Sequence, residues 1–133
     1  MLAVLALVTL AAAAPATQSR VVLERQLPGP PGQPYVRLVE VTYPPGASST
    51  AHTHPCPVVV FVLDGAVRTR VGAAPEAVHR AGETFVEAAG DAHLVSANAS
   101  DTAPARFLAT FTCSGPHDTY STPLPASPGE PSR

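Results

Sequence analysis

The stretch Gly46-Ala47-Ser48-Ser49-Thr50-Ala51-His52-Thr53-His54-Pro55-Cys56-Pro57, continuing as Val58-Val59-Val60-Phe61-Val62-Leu63-Asp64-Gly65, decides how the rest of the chain is read. Residues two apart in a strand point to the same side, so His52 and His54 present two imidazoles on one face. Two imidazoles make half of a metal site, and a third ligand must come from elsewhere in the chain. The run from Pro57 to Leu63 is continuously apolar, which predicts a strand buried on both faces or at a sheet–sheet contact. Asp64-Gly65 then gives a hairpin signal.

Downstream, residues 66–71 alternate cleanly, with Val67, Thr69 and Val71 against a solvated face of Arg68 and Arg70. Short strands are expected over 77–80 and 84–87, separated by Ala81-Gly82-Glu83. Gly90-Asp91 turns the chain into a strand at 93–97, and 106–112 is the last long one. His93 opens its strand and supplies the third imidazole. Upstream, 21–27 and 35–43 read as strands around the loop Pro28-Gly29-Pro30-Pro31-Gly32-Gln33-Pro34, because proline removes ladder donors. No sustained helical period follows residue 20. About eight short strands with regular turn signals predict an all-β sandwich or barrel. Residues 116–133 read as a Pro-rich flexible C-terminal tail, loosest from Pro123 onward.

The 133-residue length fits one domain. A formal net charge of −2 and the lack of a basic block argue against a nucleic-acid partner. All eight basic residues are Arg, so lysine Schiff-base chemistry is excluded. The apolar run from Met1 to Ala14 falls short of the roughly 20 residues that span a bilayer comfortably. It fits a secretory signal peptide over 1–16, with Ala14-Pro15-Ala16 as a small-x-small cleavage site. The basic residue expected before such a run is missing, and an uncleaved anchor stays open. Cleavage predicts a secreted or periplasmic protein without stable membrane insertion. Cys56 and Cys113 either pair in that oxidising setting or remain separate thiols.

The sequence resembles the cupin family. The first family motif is matched by Gly46, His52-Thr53-His54 and Gly65 at the expected intervals, with Val58 in the position of the family's glutamate. The second is matched by Gly82, Ala88-Ala89-Gly90 and His93, with alanine for proline and Asn98 one residue late. The likeness covers roughly residues 35 to 113. It implies an all-β, cupin-type jelly-roll β-barrel over 17–115 holding one divalent metal ion (Fe, Zn, Mn, Ni or Cu) on His52, His54 and His93. If His52 and His54 face inward, Val60 and Val62 do too; if His93 does, Val95 and Ala97 follow. Three neutral imidazoles without a carboxylate leave the ion its full charge and an open position. All-histidine cupin sites occur in thiol and diketone-cleaving dioxygenases, whereas quercetinases use the glutamate.

Other residues carry less. Cys56 is inward by strand parity, but Pro55 and Pro57 favour a loop thiol over a ligand. Glu87 and Asp91 flank the second motif and could approach the mouth from outside the ligand set. Glu40, which shares a face with Val36 and Leu38, merits the same attention. His79, His117 and Glu83 read as exposed. Asn98-Ala99-Ser100 matches a glycosylation acceptor. The expected functions are a metal-dependent dioxygenase acting on a small molecule, or a cupin that binds a metal or small ligand without turnover. The family likeness also raises a homodimer.

Overall fold

The computed structural model describes residues 14–126. The expected signal peptide therefore lies outside the described residues over 1–13, as does the end of the expected tail over 127–133. The strands are β1 (Gln18–Gln26), β2 (Tyr35–Tyr43), β3 (His52–Thr53), β4 (Val58–Asp64), β5 (Ala66–Val71), β6 (Ala77–Arg80), β7 (Thr84–Glu87), β8 (His93–Asn98), β9 (Ala105–Cys113) and β10 (Thr122–Pro123). Every pairing between them is antiparallel. The order β1-β2-β9-β4-β7 forms one five-stranded sheet and β10-β3-β8-β5-β6 the other. The two sheets face each other as a jelly roll and are not closed into one continuous ladder. Among the described residues there is no helix.

Branched and aromatic side chains build these strands because they pack well on a pleated surface. Glycines make the turns. Gly65, between β4 and β5, has φ of 70°, and an added Cβ would sit 2.5 Å from the Pro104 carbonyl oxygen. Both backbone conformation and space therefore require glycine there. The core between the sheets is formed by Tyr43, Val58, Val60, Val62, Val67, Phe107 and Phe111 with small residues between them.

The uninterrupted apolar run in β4 does not mean burial on both faces. Val58, Val60 and Val62 are fully buried, whereas Val59 and Phe61 are 44% and 40% exposed. The strand lies in a sheet with one covered face, so period-two geometry governs it despite the uniform hydrophobicity.

β8 also departs from simple alternation. Its pairing with β5 shifts register, with Arg70 opposite Val95 and Val71 opposite His93. Leu94 is the extra residue of this bulge and reverses the side-chain phase. Ser96 therefore lines the cavity after His93, whereas Val95 is half-buried and Ala97, though buried, does not line it. Asn98 is buried, and its amide nitrogen donates to the carbonyls of Tyr43, Pro44 and Ala103. This ties three segments together and leaves no free acceptor for a glycan.

The first part of the segment expected to be a flexible tail is seated against β3. Thr122 and Pro123 pair with Thr53 and His52, and the Leu124 N–H donates to the Ala51 carbonyl. Cys56 and Cys113 form a disulfide with Cα atoms 5.2 Å apart, so Cys56 is not a ligand of the histidine cluster. The bond closes a loop across a sequence separation of 57 residues. Chain entropy alone makes a cross-link of that span worth about 4 kcal/mol. Replacing both cysteines by alanine is expected to lower the thermal midpoint by on the order of 15 °C, read by circular dichroism.

Candidate metal centre

Each donor reaches the cavity from a different structural device. β3 and β8 are neighbours, and His52 lies directly opposite His93 across the ladder, so their side chains emerge on one face. Their ring centroids are 5.0 Å apart. His54 stands just beyond β3, where the chain crosses toward β4. Its carbonyl accepts the Gly90 N–H, which fixes this crossing to the turn after β7. The ring centroids of His52 and His54 are 4.7 Å apart. The three histidines read from the sequence are thus brought together.

The fourth donor is Glu87, which the sequence placed only at the edge of the site. It is 3% exposed. Its Oε2 atom lies 2.8 Å from His93 Nδ1 and 3.3 Å from His54 Nε2. One donor atom from each of His52, His54, Glu87 and His93 fits within 4.8 Å of all the others. A carboxylate thus stands beside the three histidines, where the sequence reading expected none within the donor set. Val58, which fills the family's glutamate position, pairs directly with Glu87 across the β4–β7 ladder. The carboxylate comes from the opposite strand. The available signal was parity, because Phe85 and Glu87 share the inward phase of β7 while Val86 is 64% exposed.

The outer nitrogen of every imidazole is engaged. His52 Nδ1 donates to the Thr50 carbonyl at 2.7 Å, and His54 Nδ1 donates to the Tyr120 carbonyl at 2.5 Å. These carbonyls can only accept, so both rings turn an unprotonated Nε2 inward when neutral. Thr69 Oγ1 takes His93 Nε2 at 2.7 Å, leaving Nδ1 to face the centre. Outer partners of this kind orient metal-binding imidazoles. Glu87 Oε2 and His93 Nδ1 are buried and close, yet neither makes a well-formed hydrogen bond. Both atoms point at a common space. These four residues could hold a metal ion.

The electrostatics agree with that geometry. Burial opposes ionisation of Glu87, but His54 and His93 outweigh it and hold its carboxyl down at about 2. Burial likewise favours neutral His54, yet Glu87 and the Tyr120 carbonyl overcome it and raise its pKa. For His52 burial prevails and the pKa falls.

The donors open onto a cavity of about 460 Å³ whose walls include Val39, Val41, Val60, Phe107 and Phe111. Tyr43 and Ser96 share a buried hydroxyl contact of 2.9 Å within it. At its rim, the Arg37 guanidinium lies 4.5 Å over the Tyr120 ring and 2.6 Å from Glu24. The remaining candidates fall elsewhere. Asp91, Glu83 and His117 are exposed. Glu40 pairs with Arg20 and Arg106. His79 is half-buried against Phe85 rather than exposed.

No curated protein matches the chain in sequence. Among solved structures, an uncharacterized conserved protein with a double-stranded β-helix domain from Klebsiella pneumoniae is 21% identical, with a TM-score of 0.58. The match covers 72% of this chain and 76% of that one. An oxalate oxidase is 25% identical at a TM-score of 0.57, covering 67% of this chain and 46% of its own. The DMSP lyase DddQ from Ruegeria pomeroyi is 17% identical at a TM-score of 0.62, covering 80% and 51%. The chain thus spans about half the length of those two enzymes. The family model described as a cupin domain matches residues 39–111. That span includes all four converging donors and more than half of the sequence, and the protein belongs to the cupin family.

Proposed function

We propose that the protein is a mononuclear metalloenzyme in which His52, His54, Glu87 and His93 hold one divalent ion of the Fe, Mn, Ni, Cu or Zn group. The observation that carries this reading is the buried, unpartnered pair Glu87 Oε2 and His93 Nδ1, aimed with two further ring nitrogens at one space. Three imidazoles and one carboxylate suit a borderline cation and leave it a residual positive charge. Such an ion supplies Lewis acidity and a place where oxygen or a substrate oxygen can bind.

The chain's own residues define what comes near it. The apolar walls exclude water and accept the body of a small molecule, while Ser96 and Tyr43 offer the hydroxyls that orient it. Glu87 is the only carboxylate among the described lining residues and is itself one of the four metal donors, so the cavity offers no separate carboxylate as acid or base. This favours oxygen chemistry at the metal, in the dioxygenase class, over reactions that need separate acid and base residues. The same scarcity supports a second reading, a cupin that binds a metal or small ligand without turnover. The Cys56–Cys113 disulfide supports secretion or a periplasmic location, where such bonds persist.

Elemental analysis of the full chain after reconstitution with each of the five metals is expected to find about one equivalent of the preferred ion. Less than about a tenth of an equivalent for all five sinks the metal reading. His93→Ala and Glu87→Gln are expected to weaken affinity by about 100-fold or more. Oxygen uptake by the iron form with thiols, diketones or flavonols marks an enzyme; none with any of them favours the binder.

The pH response has a definite sign. Glu87 has a lower pKa folded than its ordinary 4.5, so its contribution to metal-free stability is present above 4.5 and lost as pH falls toward about 2. His54 has a higher pKa folded than its ordinary 6.5, so its contribution is complete below 6.5 and lost as pH rises through the folded value. Urea midpoints of the metal-free chain should therefore be highest between these limits, and Glu87→Gln should flatten both limbs. Metal affinity should rise with pH as His54 gives up its proton, measured by competition with a chromophoric chelator.

A further inference from the structure

We propose that Cys56, Cys113 and His117 form a second, redox-gated site that takes a soft cation, Cu(I) or Zn(II), when the disulfide is open. Cys56 lies in the link between β3 and β4, Cys113 ends β9, and His117 lies in the segment leading to β10. The two sulfurs and one ring nitrogen of His117 lie within 4.8 Å of one another. Metal–sulfur bonds of about 2.3 Å and metal–nitrogen bonds of about 2.0 Å place such donors roughly 3.5 to 3.8 Å apart. Opening the sulfurs to that spacing calls for rotation of the two cysteine side chains about Cα atoms that lie 5.2 Å apart.

The burial pattern fits such a site. Cys56 and Cys113 are 5% and 4% exposed, whereas His117 stands at the surface and marks the way in. Once the bond is open, two buried sulfurs stay protonated until a cation replaces their protons, so the reduced pair is a ready dithiolate donor for a soft ion. Thiolate donors select Cu(I) and Zn(II) over the harder ions suited to a histidine–carboxylate set. The inference uses none of the four donors of the first centre and does not depend on what that centre binds. The segment is nevertheless shared, because the His117 N–H donates to the Tyr120 hydroxyl and the Tyr120 carbonyl holds His54.

A trialkylphosphine opens the disulfide with balanced chemistry. The S–S bond breaks, the phosphine becomes its oxide with the oxygen of one water, and two thiols remain. Cation uptake then releases their two protons. The test compares oxidised and phosphine-reduced full chain titrated with Co(II), whose sulfur-to-metal charge-transfer band reports thiolate ligation, and then with Zn(II) against a chromophoric chelator. The reduced form is expected to bind one more equivalent than the oxidised form and to show the band. Cys113→Ser should abolish the band, and His117→Ala, at an exposed position, should weaken the extra site about ten-fold or more. Equal stoichiometry in both redox states, or a missing band, overturns the proposal. So does a reduced chain that loses its β-sheet circular dichroism and does not regain it with Zn(II).

Discussion

His52 Nε2 and His54 Nε2 stand 3.2 Å apart, and Glu87 Oε2 lies 3.3 Å from the second and 2.8 Å from His93 Nδ1. Atoms that all offer electron pairs cannot gather in a buried space without positive charge between them. A single cation held among the four, as these residues could hold a metal ion, would relieve that repulsion for every donor. The surrounding protein makes this crowding persist. Thr50, Tyr120 and Thr69 occupy the outer nitrogens, so the rings cannot turn away without giving up hydrogen bonds.

The fold supplies the crowding from both sheets. His52 and His93 come from one ladder and face each other as cross-strand neighbours, while Glu87 comes from the edge strand of the opposing sheet. His54 lies on the chain that passes between them. Inside, β4, β9 and β2 present Val60, Phe107, Val39 and Val41, so the centre opens onto an apolar wall. Low dielectric on that side strengthens every charge interaction at the donors. At the rim, Glu24 and Arg37 grip the Tyr120 side chain, and the backbone of Tyr120 serves His54. An ion pair near the surface is thereby connected to an imidazole in the interior through one residue.

Much of this was legible in the sequence because it follows local rules. Period-two spacing put His52 and His54 together, turn residues delimited the strands, and the two half-motifs pointed to a jelly roll with His93 as a partner. What escaped was non-local. Nothing in one sequence says that Val58 lies opposite Glu87, so the valine looked like the loss of a carboxylate when it marked where another would arrive. The bulge at Leu94 likewise depends on how β8 meets β5, and it put Ser96 where parity put Val95. Thr69 looked like one residue of an alternating strand, and its bond to His93 could be seen only once β5 and β8 were side by side. Proline content made the C-terminal segment look loose, although one short strand pairing of two residue pairs and an aromatic contact between Tyr120 and Phe111 hold it down.

The seating of Tyr120 and of β10 beside β3 has a consequence in time. A chain leaves the ribosome N-terminal side first, and a domain folds as a unit once its segments are out. His52, His54, Glu87 and His93 will all have emerged before Tyr120, but His54 lacks its carbonyl brace and β3 its second neighbour until residues 120–124 follow. The pocket is therefore completed by nearly the last described residues to be synthesised, and a ribosome-bound intermediate would carry the ligands without the arrangement that aims them.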